Sequence, residues 1–165
     1  SAHLAAKKGL PYAFASHFAS THLHNALRIY EQEFQPSEFL STPYKIAGIN
    51  VIMADTNEEA EKLFTSLLGM FYGMITGNMQ TVQPPTEMTE EWRHIFKHPS
   101  VNQMLKYSFV GNEETVKKKI LEFLTETNVD ELIAVSSMYS SQDRIKSAQL
   151  FADVMKEINV NLATQ

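Results

Sequence analysis

Ser16 and His17, in the stretch "YAFASHF", place a hydroxyl beside an imidazole directly after a short apolar run. The pair could supply a nucleophile and a base. Neighbours in an extended segment face opposite sides, however, and no carboxylate is assigned to orient the histidine, so hydrolase chemistry is weakly supported. His22 and His24, two apart in "THLHN", point in different directions on a helix and do not form the i, i+4 ligand pair of a helical metal site. His94 and His98 have that spacing, but Pro99 draws His98 away from helical geometry. All four read as surface histidines, and no metal is expected. With no cysteine in the chain, a thiol nucleophile, a disulfide framework and a thiolate metal site are excluded.

Phosphate chemistry has little to stand on. Gly111 in "VGNEET" is isolated, with neither a dinucleotide fingerprint nor a P-loop around it, and reads as a strand-to-helix turn. The helix N-terminus that follows keeps a phosphate contact open. Lys117, Lys118 and Lys119 spread over most of a helical turn as a solvated face, and the methionines between 70 and 79 are gap-fillers of a core.

The elements that must position these groups follow from periodicity. Residues 1–8, "SAHLAAKK", predict a short helix stopped by Gly9. After Pro11, "YAFAS" suits a strand buried on both faces. Residues 21–34 space Leu23, Ala26, Leu27, Tyr30 and Phe34 as the apolar stripe of a helix. Residues 44–55, "YKIAGINVIMAD", form the strongest strand, followed by a helix capped at Asp55 or Thr56 that Gly77 ends.

Regularity fails from about 78 to 106, where Pro84, Pro85 and Pro99 punctuate one short helix, "TEEWRHIF", and a further short piece; a segment this long is usually functional or interrupts a repeat. Asn112 then caps a helix, "ELIAVSS" reads as another buried strand, and residues 141–158 form the last helix.

Strands alternating with helices predict a parallel α/β sheet, with Ser16, His17, Ala54, Asp55, Ser136, Ser137 and Tyr139 sharing the rim at the strand carboxyl ends. Three strands make that sheet thin. The chain of 165 residues is enough for one domain with a core, and 44% hydrophobic with 20% charged is an ordinary globular composition. A net charge of -5 lacks the basic excess that nucleic acid requires. No stretch is apolar enough for a membrane span and no secretory signal is evident, so a cytoplasmic protein is expected. The start at Ser1, straight into a helical pattern, reads as a cut end.

The motifs "SAHLAAKKGLPYAFASHF", "VIMADTNEEAEKL", "EEWRHIF", "KYSFVGNEETVKKKILEFLTETNVDELIAVSSMY" and "RIKSAQLFADVM" run in order over nearly the whole chain. Together they resemble the C-terminal half of the bacterial luciferase-like flavin-dependent monooxygenases. The resemblance implies a single partial domain, the C-terminal half of a (β/α)8 TIM barrel, with "YAFAS", "KIAGINVIMA" and "ELIAVSS" as strands six to eight and the other strands missing.

It also implies reduced FMN as cofactor, O2 as co-substrate, NAD(P)H acting through a partner flavin reductase, and oxidation of a small aldehyde-like substrate. Ser1 matches a hydroxyl that receives the flavin phosphate, and Ser16 and His17 match the rim against the flavin. Trp92 matches an aromatic of the closing insert, while Ser136, Ser137 and Tyr139 are rim positions. Catalytic residues are expected in the missing half, which makes the chain inactive alone and predicts a homo-oligomer or pairing with that half. A non-catalytic flavin-binding or interaction module and a deazaflavin-dependent oxidoreductase are the alternatives.

Overall fold

The chain is described here by a computed structural model covering residues 1–164. Its first helix, α1 (Ala2–Lys8), ends at Gly9, whose φ of 61° is left-handed. A Cβ at Gly9 would sit 2.5 Å from the Gln35 carbonyl oxygen, so glycine is required there by both backbone and space. Strand β1 (Tyr12–Phe14) follows, then a short 3-10 turn (Ser20–His22) leading into α2 (Leu23–Glu33). Strand β2 (Lys45–Met53) is followed by α3 (Asn57–Thr76), whose N-cap Thr56 accepts from the Glu59 N–H.

The insert contains α4 (Glu90–Lys97) and α5 (Pro99–Met104). Strand β3 (Ser108–Gly111), α6 (Glu113–Thr127), β4 (Glu131–Val135) and α7 (Ser141–Ala163) complete the chain. Among the described residues, no helix is long and apolar enough to cross a membrane.

β2 is the centre of the sheet and every pairing is parallel. Ala47 is the register partner of both Phe14 and Leu132, and Asn50 of both Ser108 and Val135. β4 therefore occupies one side of β2, while β1 and β3 share the other, β1 at the start of the strand and β3 at its end.

Alternation along β2 separates two cores. Ala47, Ile49, Val51 and Met53 point into a cluster with Leu27 and Tyr30 of α2, Val116 and Ile120 of α6, and Val154 and Ile158 of α7. Ile52 points the other way, into a cluster with Phe64, Leu67 and Leu68 of α3, Val101 and Leu105 at α5, and Met138. Ile46, Gly48 and Asn50 share the face of Ile52 but belong to neither cluster, and Ile133, the partner of Gly48 on β4, is 46% exposed.

The half-barrel expectation is corrected by this sheet. A half barrel of three strands has one strand on each side of its middle strand, whereas here β2 carries three partners, β4 on one side and both β1 and β3 on the other. The described residues instead form a four-stranded parallel sheet with seven α-helices around it. The additional strand, "SFVG", is too short for periodicity to declare, and its pairing to residues 50–53 of β2 creates it. "ELIAVSS" also differs from the doubly buried strand expected, since Glu131, Ile133 and Ala134 are exposed on an edge.

Candidate functional site on the open sheet face

The polar residues of the open face are organised by Gly48. A Cβ at this position would lie 2.8 Å from His17 Nδ1, so the missing side chain is the notch into which the imidazole fits. Ser16 is fully buried and its hydroxyl donates to the Gly48 carbonyl at 2.5 Å. Asn50, two residues on and on the same face, donates from Nδ2 to the His17 carbonyl at 2.5 Å and approaches Ser108 Oγ at 3.4 Å. These bonds fix the chain from 16 to 17 on β2 just beyond the end of β1.

His17 Nδ1 is buried and has no hydrogen-bond partner among the described residues. Leaving such a nitrogen unpaired costs about 1–3 kcal/mol, which makes it an indicator of a ligand position. Desolvation lowers the His17 pKa below its ordinary value of 6.5, favouring the neutral ring. The ring packs edge-on to Phe18 at 5.2 Å between centroids. Ala13 and Ile46, paired across β1 and β2, and Ile133 and Gly48, paired across β4 and β2, continue the face as a shelf of small and aliphatic groups. The arrangement suits a flat, mostly apolar molecule with one polar edge at His17.

The residues expected to share one rim each follow the carboxyl end of a strand, and those ends are staggered. β1 ends level with Ala47 and β4 level with Asn50, whereas β2 continues to Met53. His17 thus stands over the middle of β2, while Asp55 lies past its end in an ion pair with Lys146. Ser136 spends its hydroxyl on the Val51 carbonyl at 2.8 Å; Ser137 is half-buried, and Tyr139 is 57% exposed. Ser1 is exposed at the start of a seven-residue helix, its Oγ 3.4 Å from the Tyr12 hydroxyl. Trp92 belongs to another neighbourhood: its ring lies against Gly69 of α3, which seats the insert there, and its Nε1 donates to Thr86 Oγ1 within the insert at 2.9 Å.

Sequence reasoning missed Gly48 and Asn50. The signal available was Asn50 itself, the one uncharged polar side chain within "KIAGINVIM", since a polar group in a fully buried strand needs a partner.

The fold and this shelf define a parallel α/β protein with its candidate ligand position on an open sheet face. No family model matches the chain. It is 38% identical over 158 residues to the luciferase-like monooxygenase of Escherichia coli (strain K12), covering 96% of this chain and 47% of that protein. It is 37% identical over 156 residues to the uncharacterized protein YvbT of Bacillus subtilis (strain 168), covering 94% of this chain and 46% of that protein.

Among solved structures, apo-MsnO8 matches with a TM-score of 0.78 at 23% identity, over 94% of this chain and 47% of its own. The oxygenating constituent of 3,6-diketocamphane monooxygenase from Pseudomonas putida, in complex with FMN, matches with a TM-score of 0.53 at 17% identity, over 91% and 43%. The chain is a homologue of the luciferase-like monooxygenases, as its motifs implied. It spans about half the length of the curated relatives it matches.

Proposed function

We propose that the chain forms the flavin-facing part of a luciferase-like monooxygenase that uses reduced FMN and O2 to oxidise a small, aldehyde-like substrate. The observation that carries the reading is the buried, unpartnered His17 Nδ1 beside an open aliphatic shelf, in a chain homologous to a luciferase-like monooxygenase over 96% of its length. An isoalloxazine is flat and largely apolar with polar atoms along its edge, so this part of the cofactor fits the groups present.

Bound there, reduced FMN supplies the two electrons with which one oxygen atom enters the substrate and the other leaves as water. His17, held neutral by burial, offers a hydrogen bond to the ring edge without adding charge. Ile46 and Ile133 would give a bound ring an apolar surface that excludes water, and Asn50 keeps the His17 backbone in place through the carbonyl it bonds. NAD(P)H, acting through a partner reductase, is the proposed source of reduced flavin.

Because the chain covers about half of its relatives, we assign it cofactor contact rather than turnover by itself. Self-association through the outer backbone edge of β4, where Glu131 and Ala134 are exposed, is part of the proposal.

Titration of FMN against the purified chain, followed by flavin fluorescence, tests the reading. Saturable quenching, weakened about three- to tenfold by His17→Ala as expected for one lost hydrogen bond, supports it. Absence of quenching, or identical affinity in the variant, refutes the His17 assignment. A parallel deazaflavin titration decides between the two flavins.

A further inference from the structure

A cavity of about 360 Å³ lies between α3, α4, β3 and α6 and meets the open sheet face at Ser108, whose Oγ is 3.4 Å from Asn50 Nδ2. Its size is within the range of about 300–1,000 Å³ found for ligand pockets and gives room for about a dozen water-sized groups. The apolar part of its wall is Phe64 of α3, Met88 and Phe96 of the insert, and Val110 of β3. Phe64 and Phe96 meet edge-on at 5.5 Å between centroids, so the wall is a fixed aromatic corner rather than a loose surface.

The charges around this wall are unequal. Arg93 is neutralised by Glu61 at 2.9 Å and also approaches Glu90 at 3.9 Å. Lys97 and Lys119 line the same cavity, and neither is in an ion pair among the described residues. Among the described residues, the Lys119 ammonium hydrogen-bonds the Val110 carbonyl at 3.5 Å. Ser108 adds a hydroxyl to the same wall.

An aromatic and aliphatic interior bordered by two uncompensated cations and a hydroxyl is complementary to a molecule with an apolar body and a single anionic head. We propose that this cavity is a binding site for a small amphiphilic carboxylate, with the apolar chain against Phe64, Phe96 and Val110 and the carboxylate between Lys97 and Lys119. This assignment does not rest on the flavin reading: it uses none of His17, Ile46 and Ile133, and it touches the open face at Ser108. A neutral alcohol of the same length makes the apolar contacts but leaves both ammonium groups unpaired.

Isothermal titration of the 165-residue chain with octanoate and with 1-octanol provides the test. The expected result is one saturable octanoate site, bound at least fivefold more tightly than octanol and weakened by added salt. Lys97→Gln/Lys119→Gln should cost about tenfold for octanoate, each exposed charge contact being worth at most about a factor of five, and leave octanol affinity unchanged. Both lysines are exposed, and an unaltered thermal transition shows that the variant folds. Met88→Trp, which fills the cavity from its half-buried wall, should abolish binding of both ligands. Failure of octanoate to bind, equal affinity for octanol, or full octanoate affinity in the double lysine variant each overturns the proposal.

Discussion

Gly48→Ala tests the relationship between the open face and His17. The new Cβ would be 2.8 Å from His17 Nδ1 and 3.5 Å from both His17 Cε1 and the Phe14 carbonyl oxygen, whereas ordinary contact begins at 3.4 Å. Asn50 holds the His17 carbonyl and Ser16 is bonded to the Gly48 carbonyl, so the backbone stays in place and the clash is relieved by turning the imidazole out of its notch. Overpacking of this kind costs about 1–3 kcal/mol, against which alanine recovers about 0.5–1 kcal/mol of backbone entropy within a strand. The expected net loss is about 1–2 kcal/mol.

In a His17→Ala background the obstacle is gone, and the same substitution should be neutral or stabilising by up to about 1 kcal/mol. Urea unfolding of the wild type, both single variants and the double variant closes the cycle, read as midpoint shifts at constant slope. An equal cost of Gly48→Ala in both backgrounds would refute the notch.

Burial lowers the His17 pKa below 6.5, so the unfolded chain binds this proton at a higher pH than the folded one. Stability from the neutral ring is complete above pH 6.5 and is lost as pH falls toward the lowered folded value; urea midpoints of wild type should therefore drop below pH 6.5 more steeply than those of His17→Gln. Tyr30 is fully buried, its hydroxyl donating to the Leu10 carbonyl at 2.8 Å and accepting from the Tyr44 N–H at 3.0 Å. Tyr30→Phe orphans both partners and should cost about 1–3 kcal/mol in chemical denaturation. Thr56→Ala removes the cap that accepts from the Glu59 N–H at 3.1 Å and should lower stability by about 1 kcal/mol, measured the same way. Ala134→Lys places a charge on the exposed β4 edge and should shift sedimentation toward the monomer; an unchanged mass would remove β4 from the association proposal.

Local order determined much of this protein. Thr56, Asn112 and Gly9 mark helix ends through side-chain acceptors and left-handed backbone, properties that three or four neighbouring residues define. The apolar run 46–53 specified the central strand because it is long and bordered by an N-cap. The motifs carried the relationship to luciferase-like monooxygenases in the same way, as ordered short strings.

Tertiary structure decided the remainder. Whether "SFVG" is a strand depended on an unpaired edge of β2 at residues 50–53, and the pairing of β4 with β2 depended on which edge remained. How far Ser16, His17, Asp55 and Ser136 stand from one another along β2 was decided by strand stagger, which is a register between distant segments. His17 and Gly48 are 31 positions apart in sequence, and it is this fold that brings the imidazole into the space left by an absent side chain. Backbone preferences are local and can be read along the chain; cavities and register are relations between surfaces, and they exist only after the chain has closed on itself.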